Sequence, residues 1–457
     1  MGEKPRTDGT TAGTVAVLGG GLAGLAASRH LLTAGYDVTL VEKRPFLGGR
    51  AFSFHDPQVG VEVDNGQHVF MGCCTYYIDF LKALGTLDRT LVQDRLEIEV
   101  VLNGKRGALS STPSLGPLHL VPSFIRYPHL GPFDKLVAVY GLLAARLTDR
   151  SRHRDRLDAQ SFYQWLRDHH QTERAIDNLW NLIILPTLND DIRDVSADMG
   201  LMILQEGLLK RPSDASIGMS RVGLTSLAGE PGGRFLERHG GRLVTGKGVR
   251  AINFEGGIVG SVELSDGSSL RTDFYVSALP FDVLLEVLPR DVANGAFFAG
   301  ISELTSSPII GIHLWYDRPI MSQDFVAFLD SPVQWVFNRS AIQGSDGGRG
   351  QHVCISVSGA WDYVDRPKED LRELFSAEME RLFPAASGAR IERSLVVKQP
   401  SATFRCVPGS ARHRPSQTTP ISNLFLAGEW TDTGWPSTME GAVRSGVYAA
   451  ESLASSS

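Results

Sequence analysis

The feature that most constrains this chain is a glycine-rich turn between two strand-like segments near its start. The run "TVAVLGG" is apolar and β-branched, as is typical of a buried parallel strand. Apolar residues then recur at helical spacing from Leu22 to Ala34, and "YDVTLVE" follows as a second strand ending at Glu42. The turn holds three glycines in the spacing G-x-G-x-x-G, namely Gly19, Gly21 and Gly24. This context of strand, helix and strand predicts a β-α-β unit that binds a dinucleotide.

Each of these glycines has a physical role in such a turn. Gly19 allows the tight turn out of the strand, and Gly24 allows helix and strand to pack closely. Gly21 lets the backbone approach a pyrophosphate, which would bind the amides at the start of the helix, at Leu22 and Ala23. Glycines that fall in a turn by chance are the alternative interpretation.

The acidic residue at the end of the second strand indicates the type of nucleotide. Glu42 stands 18 residues after Gly24, where a carboxylate accepts hydrogen bonds from a ribose 2′-hydroxyl and repels a 2′-phosphate. This position favours NAD or FAD over NADP. We include Glu42 and the adjacent Lys43 in the predicted cofactor site.

Two further segments favour FAD over NAD. In "EKRPFLGGR", Gly48 and Gly49 permit close backbone approach, and Arg50 supplies a fixed cation for the diphosphate. Near the end of the chain, "LFLAGEWTDTGWPSTMEGAVRSG" predicts a strand, a turn and a helix over about 438–453.

The turn and the helix start in that last segment supply the predicted flavin end of the site. Gly428 and Glu429 lie in the turn, and Glu429 would hold the ribityl hydroxyls. The helix would begin at Thr438, Met439 and Glu440, and its positive end would stabilise the negative charge of a reduced flavin.

The length of the chain predicts a second domain. At 457 residues and 42% hydrophobic content, the chain exceeds one ordinary domain. Helical periodicity near 75–85, 131–148 and 157–182 and short strand-like runs over 241–277 fill the middle. The predicted fold class is α/β, with a Rossmann-like FAD-binding domain (a parallel sheet with helices) that is discontinuous in sequence and an inserted α+β substrate domain. The predicted boundaries are a disordered tail at 1–13, the FAD-binding domain at 14–70, 231–285 and 415–457, and the substrate-binding domain at 71–230 and 286–414.

Charge and cysteine content narrow the class of protein. The net charge of −6 gives no basic field for nucleic acid. Four cysteines are too few for a disulfide framework and lack a zinc spacing, so we expect no metal site and a reducing, cytoplasmic location. No segment reaches the roughly 20 apolar residues of a membrane span, and the polar start lacks the apolar stretch of a signal peptide.

Both ends of the chain and the segment 241–280 resemble the superfamily of FAD-dependent amine oxidases and phytoene desaturases. Val249 matches the position whose backbone contacts adenine in that superfamily. Further blocks are similar to the squalene-associated FAD-dependent desaturases, the hydroxysqualene dehydroxylases of squalene and hopanoid biosynthesis. These blocks are "DNGQHVF", "LWNLIILPTLN", "PIIGIHLWYDRP", "QWVFNR", "SATFRCVPG" and "LAGEWTDTGWPSTMEGAVRSG". The chain departs from the pattern at Glu429, where Asp is more often expected, at Cys73-Cys74 and in the proline-rich stretch 105–130.

The resemblance implies an FAD-dependent oxidoreductase that converts hydroxysqualene and reduced flavin into squalene, water and oxidised flavin. The allylic hydroxyl must be protonated before it leaves, and hydride from flavin N5 then quenches the allylic cation. The partner would be a long apolar isoprenoid bound mainly by apolar burial. A reductase, or NAD(P)H acting at the same flavin face, would supply electrons.

The resemblance also places candidate catalytic residues beside the flavin ring. The block from Asp64 to His68 passes the ring, so Gly66 and Gln67 are predicted cofactor contacts. His68 or Asp64 is the predicted proton donor, and Asp432 is a third candidate. For each of these, a structural role is the alternative: a hydrogen-bonded histidine, or a carboxylate that forms a turn.

Other residues have less specific roles. His313 is interpreted as a packed or hydrogen-bonded histidine, and covalent attachment of FAD at Cys406 is disfavoured by its spacing. Aromatic residues that line a substrate tunnel, or pack in the core, are Trp315, Trp335, Phe337, Phe404 and Trp435.

The segment Pro113–Leu147 has two readings. It is either a membrane-facing entrance for a lipid, with the protein peripheral on the inner face of the cell membrane, or an ordinary helical subdomain. The competing functions are a carotenoid-type desaturase or amine oxidase of the same superfamily, and a non-enzymatic lipid-binding protein on the same fold.

Overall fold

The computed structural model describes residues 11–57, 60–344 and 350–456. Residues 1–10 of the predicted disordered tail lie outside this range. The prediction is wrong for the last residues of that tail, because the backbone there pairs with the start of the second strand. The Ala12 amide donates to the Gly35 carbonyl at 3.1 Å, and the Asp37 amide donates to the Gly13 carbonyl at 2.9 Å.

A five-stranded parallel sheet forms the core of one half of the molecule. Its strands come from three separated parts of the sequence, and in sheet order they are Arg242–Thr245, Asp37–Glu42, Thr14–Leu18, Phe274–Ser277 and Leu424–Leu426. The helix Leu22–Thr33 follows the central strand and packs against the last helix of the chain, Met439–Ser456. The predicted Rossmann-like, α/β fold class is confirmed, whereas the domain boundaries stay a prediction.

A seven-stranded mixed sheet forms the second half. In sheet order its strands are Ile391–Phe404, Ser306–Tyr316, Gln351–Ser358, Trp335–Asn338, Phe325–Phe328, Glu97–Leu102 and Lys105–Ser110. All neighbours are antiparallel except Phe325–Phe328 with Glu97–Leu102. Alternate side chains point to opposite faces. One face packs under the helix Lys368–Leu382, and the other packs with the core that includes the parallel sheet.

Three small sheets complete the strand pairing. The first pairs Ser53–Asp56 with Val61–Asp64. In the second, Ile217–Ser220 is the central strand between Val69–Met71 and Thr90–Val92. In the third, Ile258–Leu264 is the central strand between Val249–Glu255 and Ser269–Leu270.

The remaining α-helices surround the sheets. They are Thr75–Leu84, Val121–Arg126, Pro132–Leu147, Arg150–Asp158, Phe162–Asp168, Glu173–Ala175, Asn181–Leu188, Ala197–Ile203, Glu230–Arg238, Phe281–Val287, Arg290–Ala293 and Arg339–Ile342. Three π-helical turns, Ile176–Trp180, Leu204–Leu208 and Thr225–Gly229, interrupt or extend them. The periodicity over 157–182 is split into short helices because Ser161 and Thr172 each cap a new helix with the side-chain oxygen.

Candidate functional site

The first glycine turn has no room for larger residues at two of its three positions. A Cβ on Gly24 would lie 1.9 Å from the Gly19 carbonyl oxygen, and Gly19 has a φ of 112°. The helix Leu22–Thr33 begins after Gly21 without a side-chain cap. Its first amides, including those of Leu22 and Ala23, have no partner within the helix, so they can bind an anion.

The second glycine loop lies directly against the first. The Gly48 amide donates to the Gly20 carbonyl at 2.9 Å, and a Cβ on Gly49 would lie 2.8 Å from the Gly21 Cα. Two backbones therefore form a narrow surface without side chains at the start of a helix. This cradle fits the diphosphate of FAD.

Glu42 is buried and holds the glycine turn in place. Its carboxylate accepts hydrogen bonds from the Gly20 amide at 2.7 Å and the Arg44 amide at 2.9 Å. The Lys247 amide donates to the Glu42 carbonyl at 3.1 Å, which brings the start of the strand Val249–Glu255 to the same end of the sheet. Lys43 is exposed beside it. The predicted ribose and adenine contacts thus lie together, and their roles stay predictions.

The last segment reaches the same place from the far end of the chain. The Gly428 amide donates to Ser445 Oγ at 2.8 Å, and Glu429 forms an ion pair with Arg50. Arg50 also donates to the Ala402 carbonyl at 3.2 Å. Arg50 of the predicted diphosphate loop and Glu429, the predicted ribityl contact, are therefore bound to each other in the structure.

The predicted cofactor residues at the start of the last helix, Thr438 and Glu440, have different roles in the structure. Thr438 Oγ1 accepts from the Gly441 amide at 3.1 Å and so caps the helix that begins at Met439. The Glu440 carboxylate accepts from the Tyr77 amide at 2.7 Å and from Arg444 at 2.6 Å. Its side chain is committed to the helix Thr75–Leu84, so a flavin contact from Glu440 would come from its backbone amide.

A buried guanidinium that the sequence did not indicate holds the loop 429–435. Arg414 donates to the carbonyls of Thr431 at 2.6 Å, Trp435 at 2.7 Å and Glu429 at 3.1 Å. The Phe404 ring lies 4.7 Å below it. Burial lowers the pKa of Arg414, against raising contributions from Cys406 and nearby carboxylates.

Asp64 ends the strand Val61–Asp64 in a buried network. Its carboxylate accepts from Ser53 Oγ at 2.7 Å and the Leu224 amide at 3.0 Å. It also forms an ion pair with Arg339 at 3.1 Å. These contacts give the Asp64 carboxylate a positioning role. Arg339 lies in the quoted "QWVFNR" block, but nothing local in the sequence pairs it with Asp64.

The next residues of this block extend the network. Gln67 Oε1 accepts from Arg339 at 3.2 Å, and Gln67 Nε2 donates to the His68 carbonyl at 3.1 Å. His68 Nδ1 lies 3.1 Å from the Gly66 carbonyl. Burial lowers the pKa of the His68 imidazole, and the charge of Arg339 acts in the same direction, which opposes the expectation of titration near neutral pH. A Cβ on Gly66 would meet no atom within 4 Å.

Asp432 is paired with a distant arginine. Both guanidinium nitrogens of Arg154 contact its carboxylate, at 2.9 Å and 2.7 Å. Burial acts to raise the pKa of Asp432, but the ion pair and Arg414 outweigh it and lower that pKa. A carboxylate held ionised in this way is a poor proton donor.

One face of the mixed sheet lies over the block from Asp64 to His68. A Cβ on Gly311 would lie 3.4 Å from the Gly66 Cα. Trp315, Trp335 and Phe337 share this face, and the first two are only partly buried. The other two predicted tunnel residues are packed instead: Phe404 under Arg414 and Trp435 4.5 Å from the Arg444 guanidinium.

Two histidines lie on the same face. His313 is 1% exposed, and its Nδ1 is 3.0 Å from Nε2 of His352 on the adjacent strand. Burial lowers the pKa of His313 to about 4. His313 is therefore a hydrogen-bonded histidine. Cys406 is buried, which raises the pKa of its thiol to about 12 and disfavours a covalent bond to a flavin.

The described residues contain no group of three or more His, Cys, Asp or Glu side chains arranged to hold a metal ion. Within the same ranges, no helix is both long and apolar enough to cross a bilayer.

Comparison with known proteins identifies relatives over almost the whole chain. A family model described as flavin containing amine oxidoreductase matches residues 22–454. The chain is 27% identical to a 15-cis-phytoene desaturase of Synechococcus elongatus, over 96% of this chain and 95% of that protein. It is also 27% identical to a zeta-carotene desaturase of Arabidopsis thaliana, over 95% of this chain and 84% of that protein.

Solved structures share the fold at lower sequence identity. An oxidoreductase from Methanosarcina mazei superposes with a TM-score of 0.73 at 17% identity, over 97% of this chain and 100% of that chain. A putrescine oxidase bound to putrescine gives a TM-score of 0.73 at 18% identity, over 97% and 99%.

Proposed function

The chain belongs to the flavin-containing amine oxidoreductase family and binds FAD, and we propose that it is a hydroxysqualene dehydroxylase that forms squalene with loss of water. The proposal is supported by the blocks of sequence similar to that family, above all "EWTDTGWPSTMEGA", which extends well beyond a general flavin motif. The structural observation that supports it most directly is the aromatic face of the mixed sheet, which lies over Gly66.

Bound FAD supplies hydride chemistry to this site. The protein's own contribution begins with the cradle of Gly21 and Gly49, which would hold the diphosphate. The ion pair between Arg50 and Glu429 fixes both ends of the long binding segment relative to each other. These contacts orient the cofactor before any substrate arrives.

The mixed sheet supplies the environment for an apolar substrate. Trp315 and Trp335 expose part of their rings on the face above Gly66. A 30-carbon isoprenoid has few polar groups, so such surfaces provide binding at about 25 cal/mol per Å² of buried apolar area. Aromatic faces also stabilise the allylic cation that remains when water leaves.

His68 remains our proposed proton donor among the three candidates. The Asp64 carboxylate is already engaged by Arg339, and the ion pair with Arg154 helps to lower the pKa of Asp432, so neither carboxyl group is suited to donate a proton. His68 has one ring nitrogen at the Gly66 carbonyl, which leaves the other nitrogen for a substrate hydroxyl. With Nδ1–H donating to the Gly66 carbonyl, Nε2 of the neutral ring is an acceptor, so His68 must first take up a proton from solvent before it can donate one to the substrate hydroxyl. Burial lowers the pKa of His68, which makes this uptake unfavourable near neutral pH.

A carotenoid-type desaturase is the second candidate. The named relatives that are 27% identical over most of this chain are phytoene and zeta-carotene desaturases. Both candidate reactions use a long isoprenoid and differ in the direction of electron flow.

An anaerobic assay separates the two candidates. Photoreduced holoenzyme is mixed with hydroxysqualene, and squalene and flavin reoxidation are followed together. We expect both to appear in equal amounts. Oxidised holoenzyme is mixed with phytoene in parallel; desaturation there, with no squalene in the first assay, would replace the dehydroxylase with the desaturase.

We also propose that the protein works at a membrane surface, because its substrate dissolves in bilayers. The helix Pro132–Leu147 buries small residues and exposes large apolar ones, including Phe133, Leu136 and Leu143. Cytoplasmic, peripheral attachment would place this surface against the inner face of the cell membrane. A reductase, or NAD(P)H, would supply electrons there.

A further inference from the structure

The mixed sheet carries a polar pair within its aromatic face. His313 and His352 lie on adjacent antiparallel strands, and their side chains meet at 3.0 Å between Nδ1 and Nε2. The His352 ring stacks on Trp315, with centroids 4.2 Å apart and planes within 9°. His352 is partly accessible, whereas His313 is fully buried.

The groups around this histidine pair are mostly apolar, and the nearby charged groups are already paired with each other. Cys354 Sγ lies 3.8 Å from His313 Nε2. The charged groups that act on the pair, Asp64 and Arg339, are bound to each other. Burial lowers the pKa of both imidazoles, so near neutral pH each carries one N–H donor and one nitrogen acceptor.

A neutral hydrogen-bonded pair of histidines leaves one ring nitrogen of His352 for a bond to a ligand. One N–H is used between the two rings, and this couples the tautomers of the two histidines: whichever ring donates, the other accepts. His352 uses Nε2 for that contact, so its Nδ1 remains for another partner on a residue that is only partly buried. This is an uncharged hydrogen-bonding group set among aromatic rings.

We propose that His352, held by His313, recognises the hydroxyl group of an isoprenoid alcohol, so that the site selects an oxygenated isoprenoid over the matching hydrocarbon. This inference rests on the proposed function, because it assigns the part of the substrate that distinguishes a dehydroxylase from a desaturase. A site built to hydrogen-bond a hydroxyl rejects an analogue without one, because its own polar group is then left unpaired.

The test is equilibrium binding to the oxidised holoenzyme, read from the flavin absorption spectrum. Hydroxysqualene and squalene are titrated separately, so that no turnover is needed. We expect wild type to bind the alcohol at least about tenfold more tightly, which is about 1.4 kcal/mol. Equal affinity for the two ligands would overturn the inference.

Two substitutions distinguish recognition from packing. His352→Phe keeps a ring on Trp315 but removes the nitrogen, so we expect it to weaken alcohol binding about tenfold and leave squalene binding unchanged. His352→Gln keeps an amide group and should recover part of the preference. His239→Phe, at an exposed histidine stacked on Phe235, is the matched control. An unchanged preference in His352→Phe and His352→Gln would contradict the proposal.

The outcomes also separate this inference from the proposed function. Preferred binding of hydroxysqualene without conversion to squalene would reject the dehydroxylase reaction and keep the recognition site. Conversion to squalene by an enzyme with no preference for the alcohol would reject the recognition site and keep the dehydroxylase reaction.

Discussion

Arg339 and Asp64 form an ion pair at 3.1 Å between side chains that are only 3% and 4% exposed. Arg339 follows a strand of the mixed sheet, whereas Asp64 ends a strand that leads into the predicted flavin-ring segment. Arg339 also donates to Gln67 and to the Ser220 carbonyl, each at 3.2 Å. One guanidinium thus fixes the distance between the aromatic face and the cofactor-binding half.

Removal of one partner of this pair leaves a buried charge without compensation. We expect Arg339→Gln to lower the free energy of unfolding by about 3–5 kcal/mol, measured by urea denaturation. The double variant Arg339→Gln/Asp64→Asn should recover part of that loss, because neither charge remains. Equal losses in the single and double variants would contradict a direct interaction.

The sequence was sufficient wherever the signal is local. The glycine turn, its flanking strands and the helix Pro132–Leu147 were predicted within a residue or two, because spacing and helix boundaries are encoded in consecutive residues. The ion pair between Arg50 and Glu429 was not predicted, because the sequence indicates only that both residues contact the same cofactor.

The arginine partners of the candidate acids were not predictable in this way. Arg154 and Asp432 are 278 positions apart, and Arg339 and Asp64 are similarly distant in the sequence. A single sequence shows a carboxylate that could donate a proton, but only the folded chain shows whether an arginine already binds it. The same reason explains why Arg414 was missed, since it bonds backbone carbonyls, which leave no trace in residue identity.

Two glycines test the cofactor cradle separately from the fold. Gly24→Ala puts a methyl group 1.9 Å from the Gly19 carbonyl oxygen, so the helix must shift, and we expect a loss of about 3 kcal/mol with little bound FAD. Gly66→Ala meets no atom within 4 Å and should change stability by less than about 0.5 kcal/mol. FAD content and unfolding of the apoprotein are measured for both. FAD affinity that stays at the wild-type level in Gly66→Ala would remove Gly66 from the flavin site.

Arg414 tests whether the loop 429–435 must be held for FAD to bind. Arg414→Lys keeps the charge but cannot reach three carbonyls at once, so we expect a loss of about 3 kcal/mol and at least tenfold weaker FAD binding. Arg412→Lys, at an exposed neighbour, is the control. Thermal unfolding and FAD titration of the apoprotein check both effects, and normal FAD affinity in Arg414→Lys would contradict the role.

His313 should make stability depend on pH on the acid side. Its folded-state pKa of about 4 lies below the ordinary value of 6.5, so the unfolded chain binds more protons between these values and stability falls as pH falls. From pH 7 to pH 5, this group should account for about 2 kcal/mol of lost stability. Urea denaturation of His313→Gln should show a loss smaller by that amount. His55→Gln, at an exposed histidine, should follow wild type; identical slopes for all three proteins would reject the assignment.

The exposed face of the helix Pro132–Leu147 provides the last prediction. Its buried side holds Ala138, Gly141 and Ala145, while Phe133 and Leu136 on the other side are 66% and 69% exposed. Residues 103–147 carry five Lys or Arg side chains, and their one acidic residue is the buried Asp134, although the whole chain has a net charge of −6. An apolar face inside a basic region matches the surface of an anionic bilayer.

The double substitution Leu136→Glu/Leu143→Glu should abolish co-flotation with vesicles that contain anionic lipid. Each leucine contributes about 1.5 kcal/mol or more when it enters the bilayer interface, so together they change partitioning by at least about 100-fold. Stability and FAD content should stay at wild-type levels, because both side chains already face solvent. Ile258→Glu, at an exposed apolar residue of another surface, should float like wild type.

Since the basic residues act through charge, high salt should weaken the wild-type interaction with anionic vesicles. Wild type that fails to float with anionic vesicles at low salt would exclude this surface as a membrane contact.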